Sequence, residues 1–78
     1  MNTVLFNSTM ILNKDNQTIL AEEMGMAQSA LSARINGKIE FRQNEINFIR
    51  RRWHLTDRLT VEIFFNDEVS ETDTEKGA

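Results

Sequence analysis

Residues 17–36 read QTILAEEMGMAQSALSARIN, and the fold of the chain follows from how this stretch is divided. Leu20, Ala21 and Met24 follow helical spacing, so one short helix is expected over about 17–24. Gly25 stops it, as glycine does where the backbone must turn left-handed. A second helix is expected over about 28–35, closed by Asn36-Gly37. Ala21 is the small residue at which the two helices cross. Leu20, Met24, Met26, Leu31 and Ile35 fall on one inward side, which leaves Gln28, Ser29 and Ser32 pointing outward near the start of the second helix.

Working outward, residues 4–13 (VLFNSTMILN) are mostly apolar and lack a turn signal. Val4 and Ile11 lean toward strand, but the helices that follow favour a first helix here. Lys14-Asp15-Asn16 is a polar break, and Asn16 suits an N-cap. After the loop 37–41 (GKIEF), a fourth helix is expected over about 43–53, with Ile46, Ile49 and Trp53 as its inward stripe. Phe41 and Ile46 are placed for a hydrophobic staple at its start, and Glu45 for half of a capping box whose other half Arg42 cannot supply. Arg50, Arg51 and Arg52 sit near its C-terminal end, where the helix dipole favours positive charge. Thr56 caps a fifth helix over about 57–65. Its Leu59, Val61, Ile63, Phe64 and Phe65 cover more than one face, so some of them are expected to meet a partner. The expected fold is all-α: a compact five-helix domain over 1–65, followed by a disordered acidic tail over 66–78.

Composition bounds the function. Seventy-eight residues make one small domain, and with no cysteine its stability must come from helix packing. No run of 18 apolar residues suggests a membrane span, and no basic segment precedes an apolar run, so a cytoplasmic location is expected. The net charge is −3. Asp67, Glu68, Glu71, Asp73 and Glu75 against Lys76 give the tail −4, which leaves residues 1–65 at +1. The tail is thus placed to shield the Arg50–Arg52 run. His54 is the one histidine and reads as a loop residue. Nothing suggests a metal site, a cofactor or a catalytic set, so no enzyme activity is expected.

The outward face of the second helix in 17–36 carries small and amide side chains rather than the Glu/Lys mixture of a solvated surface. That suits major-groove reading, in which the N-terminal residues of a recognition helix meet base edges. Gln28 can pair with adenine N6 and N7. Ser29 and Ser32 can donate or accept at bases, and Ala33 can meet a thymine methyl. Gln17 begins the preceding helix, where its backbone N–H and its amide suit a phosphate. Asn36, Lys38 and Arg42 are further candidate phosphate contacts.

Residues 17–38 (QTILAEEMGMAQSALSARINGK) resemble the helix-turn-helix of the phage repressor and Cro-like family, also called XRE-type, with Gln17, Ala21, Gly25, Asn36 and Gly37 at the expected spacing. The continuation EFRQNEINFIRRRWHLTDRLTVEIFF is similar to small Cro-like regulators of temperate phages infecting Gram-positive bacteria. The resemblance spans about residues 5–65. It implies a lambda-repressor-like domain that binds operator DNA as a dimer inside the bacterial host and acts in the lysis–lysogeny switch. Two positions depart from the pattern. Arg34 stands where relatives often carry an apolar residue, Ile35 taking the inward role, and Arg42 stands where many carry Ser or Thr. Phe64 and Phe65 are the expected dimer or partner contacts. The resemblance also permits an alternative, an anti-repressor that pairs with a phage repressor and masks its DNA-reading surface. The small charge of +1 fits that role.

Overall fold

The structure is a computed structural model and describes residues 1–66. It holds five helices and, among the described residues, no strand. They are α1 (Thr3–Leu12), α2 (Gln17–Met24), α3 (Gln28–Ile35), α4 (Gln43–Arg52) and α5 (Asp57–Phe64). Of the expected tail, 66–78, residues 67–78 lie outside the described residues.

Three helices begin at a side-chain cap and a fourth at half of a capping box. The side chain of Asn2 accepts the Leu5 N–H at the start of α1, that of Asn16 accepts the Ile19 N–H at α2, and that of Thr56 accepts the Leu59 N–H at α5. Each satisfies one of the backbone donors that a helix start leaves open. At α4 the Glu45 carboxylate accepts the Arg42 N–H at 2.9 Å. Arg42 cannot return the bond, because a guanidinium has no acceptor. The strand preference of Val4 and Ile11 is overridden: the cap at Asn2 and burial of Phe6, Thr9 and Met10 at helical spacing make residues 3–12 a helix.

Four of the five helices end on a residue with positive φ. Gly25 (75°) and Gly37 (84°) stop α2 and α3, while Lys14 (57°) and His54 (54°) stop α1 and α4. The same pair of backbone bonds closes each end. Beyond α4, for example, Leu55 N–H reaches the Arg50 carbonyl at 2.9 Å and His54 N–H reaches that of Arg51 at 3.4 Å. Lys14 and His54 hold the left-handed conformation with a Cβ, which costs about 1–2 kcal/mol each.

The core converges on Phe6, which is fully buried. Its ring lies 5.1 Å from that of Trp53, 5.9 Å from Phe41 and 6.0 Å from Phe64, and Phe41 and Phe64 meet edge-to-face at 5.3 Å. One side chain of α1 thus joins the end of α4, the loop before it and the end of α5. Leu20, Ala21, Leu31 and Ile35 extend the core into α2 and α3, with Met24 and Met26 packed at its margin. The Thr3 hydroxyl donates to the Ile35 carbonyl at 2.9 Å, tying the start of α1 to the end of α3. Asn2 N–H reaches the Ile63 carbonyl at 2.8 Å, joining α1 to α5.

A buried ion pair completes the scaffold. The side chain of Asp15 is 4% exposed. It accepts from Arg52 Nε at 2.7 Å, from Trp53 Nε1 at 2.7 Å and from the Asn16 N–H at 3.0 Å. Burial pushes this carboxyl's pKa up. The hydrogen bonds from Arg52, Trp53 and Asn16, together with the charge of Arg52, outweigh it and hold the pKa below the ordinary aspartate value.

Phe6→Ala should cost about 3–5 kcal/mol, most of the stability of a domain this small, so its far-ultraviolet circular dichroism should lose the cooperative melt. His54→Gly, which relieves the left-handed penalty and adds backbone entropy to the unfolded chain, should raise stability by about 0.5–1 kcal/mol and the Tm by about 3–6 °C. Asp15 carries a pH dependence. Its folded pKa is depressed, so its stabilisation is present above the unfolded pKa and lost as pH falls through the folded one. Asp15→Asn should therefore destabilise by about 1–3 kcal/mol at neutral pH and flatten the acid limb of stability in urea titrations. An unchanged acid limb would show that the pair with Arg52 contributes nothing.

Candidate nucleic-acid interface

The surface built by α2, the turn 25–27 and α3 takes its shape from the packing beneath it. With Leu31 and Ile35 buried, the phase of α3 sets Gln28 and Ser29 fully outward and Ser32 and Ala33 at the half-exposed shoulder. α3 begins at Ala27 without a side-chain cap. The N–H groups of its first residues therefore have no side-chain acceptor within the capping position. Ala21, nearly fully buried, lets α2 and α3 pack against each other.

The second half of α3 is joined to the loop after it. The Ala33 carbonyl accepts from the N–H groups of Lys38 (2.9 Å) and Ile39 (3.3 Å). The Asn36 amide donates to the Ser32 hydroxyl at 3.4 Å. Arg34 Nε donates to Glu45 Oε1 at 3.0 Å, the same oxygen that accepts the Arg42 N–H. Burial pushes the Glu45 pKa up, but the bonds from Arg42 and Arg34 and their charges outweigh it and hold it low. Arg34 thus fills a half-buried position, its side chain 14% exposed, and welds α3 to the start of α4.

This arrangement gathers Ser32, Ala33, Asn36, Lys38 and Arg42 along one end of α3 and the loop following it. Gln28 and Ser29 stand at the other end of the same helix. Gln17, half-buried at the start of α2, has no hydrogen bond to any of them. Phe64 does not face outward: it packs in the core between Phe6 and Phe41. The helical phase that buries Thr60 and Ile63 carries Phe64 inward with them, and it leaves Phe65 (59% exposed) and Val61 (47%) as the outward apolar groups of this end.

Among the described residues, two ion pairs are built into the fold and two lie at its surface. Arg34 pairs with Glu45, Arg50 with Asp57, Arg52 with Asp15 and Arg58 with Glu62. Within the Arg50–Arg52 run, Arg52 is held by the buried Asp15 carboxylate, Arg50 meets Asp57 in an exposed pair of the kind worth about 0–1 kcal/mol, and Arg51 forms no ion pair among the described residues. Among the described residues, the Lys and Arg side chains Lys14, Lys38, Arg42 and Arg51 form no ion pair, and neither do the carboxylates of Glu22, Glu23 and Glu40. Asp15 and Arg34 carried no local signal of these roles, because their partners lie 37 and 11 residues away.

Among the described residues no group of three or more His, Cys, Asp or Glu side chains is placed to hold a metal ion, and no helix is long and apolar enough to cross a membrane. Comparison with protein-family models, with curated proteins and with solved structures found no match.

Proposed function

We propose that this chain is a sequence-specific DNA-binding regulator in which α2 and α3 act as a helix-turn-helix and α3 enters the major groove. The observation that carries this reading is the outward face of α3. Gln28, Ser29 and Ser32 are small or amide-bearing groups, the one charged side chain of α3, Arg34, is turned to Glu45, and the helix is fixed from behind by Leu31, Ile35 and that pair. Gln28 is assigned to an adenine and Ser29, Ser32 and Ala33 to neighbouring base edges. Gln17, Asn36, Lys38 and Arg42 are assigned to phosphates. The proposed setting is the lysis–lysogeny switch of a temperate phage, acting as a dimer through the exposed end of α5.

A second reading has its own support. With a net charge of only +1 over residues 1–65, the domain has little spare positive charge for phosphate, and Phe65 and Val61 offer an apolar contact. An anti-repressor that masks another regulator's DNA-reading surface fits these features. It predicts loss of the repressor's gel shift on addition of this protein, with no shift by this protein alone.

The first reading is tested by selection from a random duplex pool. The recovered site should be two-fold, with half-sites about one helical turn apart. Its affinity should fall with salt at a slope of about −0.9 per phosphate neutralised. In fluorescence anisotropy Gln28→Ala should cost about 1–3 kcal/mol on the selected site and relax one base position, whereas Lys38→Ala should weaken all duplexes alike and lower the salt slope by about 1. Equal losses for Gln28→Ala on selected and scrambled duplexes would count against base reading.

A further inference from the structure

Asn36 and Gly37 close α3, and Asn36 is the one asparagine of the chain that is followed by glycine. Both residues are exposed. Glycine has no side chain to crowd its own backbone nitrogen, so that nitrogen can approach Cγ of the preceding side-chain amide. In the folded chain the approach is blocked. The ψ of Asn36 is 1°, which eclipses the Gly37 nitrogen with the Asn36 nitrogen and turns it well away from Cβ. The Gly37 N–H is also held: it donates to the Arg34 carbonyl at 3.1 Å, and the next two N–H groups, of Lys38 and Ile39, donate to the Ala33 carbonyl at 2.9 and 3.3 Å. Asn7, which precedes the small Ser8, lies inside α1, where helical bonds hold its backbone on both sides. Asn36 stands instead at a helix end, the part of a helix that opens at least cost.

We propose that Asn36–Gly37 is a site of spontaneous deamidation, that opening of the last turn of α3 gates it, and that the conversion weakens the hold of this face on a polyanion. When the turn opens, ψ of Asn36 is free to rotate. The Gly37 nitrogen gives its proton to hydroxide and attacks Cγ of Asn36. An N–Cγ bond forms and the Cγ–Nδ2 bond breaks. Nδ2 leaves as ammonia, taking a proton from water, which returns the hydroxide. Water then opens the cyclic imide. Addition at Cγ gives aspartate; addition at the backbone carbonyl carbon gives isoaspartate, which routes the main chain through the former side chain. Nothing is oxidised or reduced. Either product replaces an amide that donates to the Ser32 hydroxyl at 3.4 Å by a carboxylate that can only accept. The charge of residues 1–65 falls from +1 to 0. The new carboxylate sits at the C-terminal end of α3, where the helix dipole disfavours it, and it draws the Ser32 hydroxyl toward itself. Isoaspartate also lengthens the backbone before Lys38. The consequence for DNA rests on the reading of Asn36, Ser32 and Lys38 given under the proposed function. The chemistry of the site stands apart from that reading.

The test ages the full chain in warm, mildly alkaline buffer, folded in one arm and in guanidinium chloride in the other. Mass spectrometry of proteolytic peptides follows the amide-to-acid exchange at each asparagine. In denaturant Asn36 should convert fastest. In the folded chain it should convert about 10- to 100-fold more slowly, the factor expected when a few backbone hydrogen bonds at a fraying helix end must open first. Equal rates in the two arms would overturn the gating, and faster conversion of another asparagine in denaturant would overturn the site. Converted chain, separated by anion exchange and refolded, should bind a random-sequence duplex about three- to tenfold more weakly than fresh chain at ~50 mM salt, and Asn36→Asp should reproduce the loss. Gated conversion with binding unchanged would leave the deamidation site standing and overturn its effect on polyanion binding. Fresh chain that binds no duplex would overturn the DNA reading and that effect together, while the two rates still decide the site.

Discussion

The ring of Phe6 is the constraint on which this domain depends. A chain of this size cannot form layers of core; it can surround one centre. Phe6 supplies that centre from α1 and brings Phe41, Trp53 and Phe64 into contact with it from three other places in the sequence. Once those aromatic groups are spent inward, the remaining apolar residues, Leu20, Leu31 and Ile35, seat α2 and α3 on the same core. The outward face of α3 is what remains after that packing is satisfied. Its residues are presented by helical phase, not by any contact of their own.

Electrostatics serves the scaffold before it serves a partner. Asp15 is held by Arg52 and Trp53 across the end of α4, and Glu45 is held by Arg34 and the Arg42 N–H between α3 and α4. Both carboxylates are stabilised in their charged form, so the fold keeps these links at neutral pH. Residues 1–65 carry a net charge of only +1, so there is little surplus positive charge for a polyanion. A DNA-reading role must then draw on hydrogen bonds to base edges and on backbone N–H groups at helix starts more than on bulk charge, which implies affinity that is modest and governed by sequence. The same shortage of free charge is what keeps the protein-masking alternative in play.

Much of the fold was legible in the sequence because its signals are local. Gly25 and Gly37 marked two helix ends, Asn16 and Thr56 marked two starts, and helical spacing put Ile46, Ile49 and Trp53 inside. What was not legible depends on contacts distant in the chain. Nothing near Asp15 announced a buried carboxylate. Lys14 and His54 gave no sign that they would take the left-handed conformation usually left to glycine. Arg34, which stood out as a departure from the resembled family, is explained by Glu45 11 residues later. The candidate site was read in its phase, because the burial of Leu31 and Ile35 fixes which residues of α3 point out. Phe64 was misjudged, since five apolar residues in one short helix cannot be sorted into core and surface without knowing that Phe6 and Phe41 await one of them.

The central claim, that α3 reads DNA, is met most directly by mapping amide chemical-shift changes on the isotopically labelled chain as a duplex recovered from the random pool is added. The account predicts that the largest changes fall on Gln28, Ser29, Ser32 and Ala33, with a second group at Gln17 and Asn36–Arg42. Changes centred on Val61 and Phe65, with α3 silent, would contradict it.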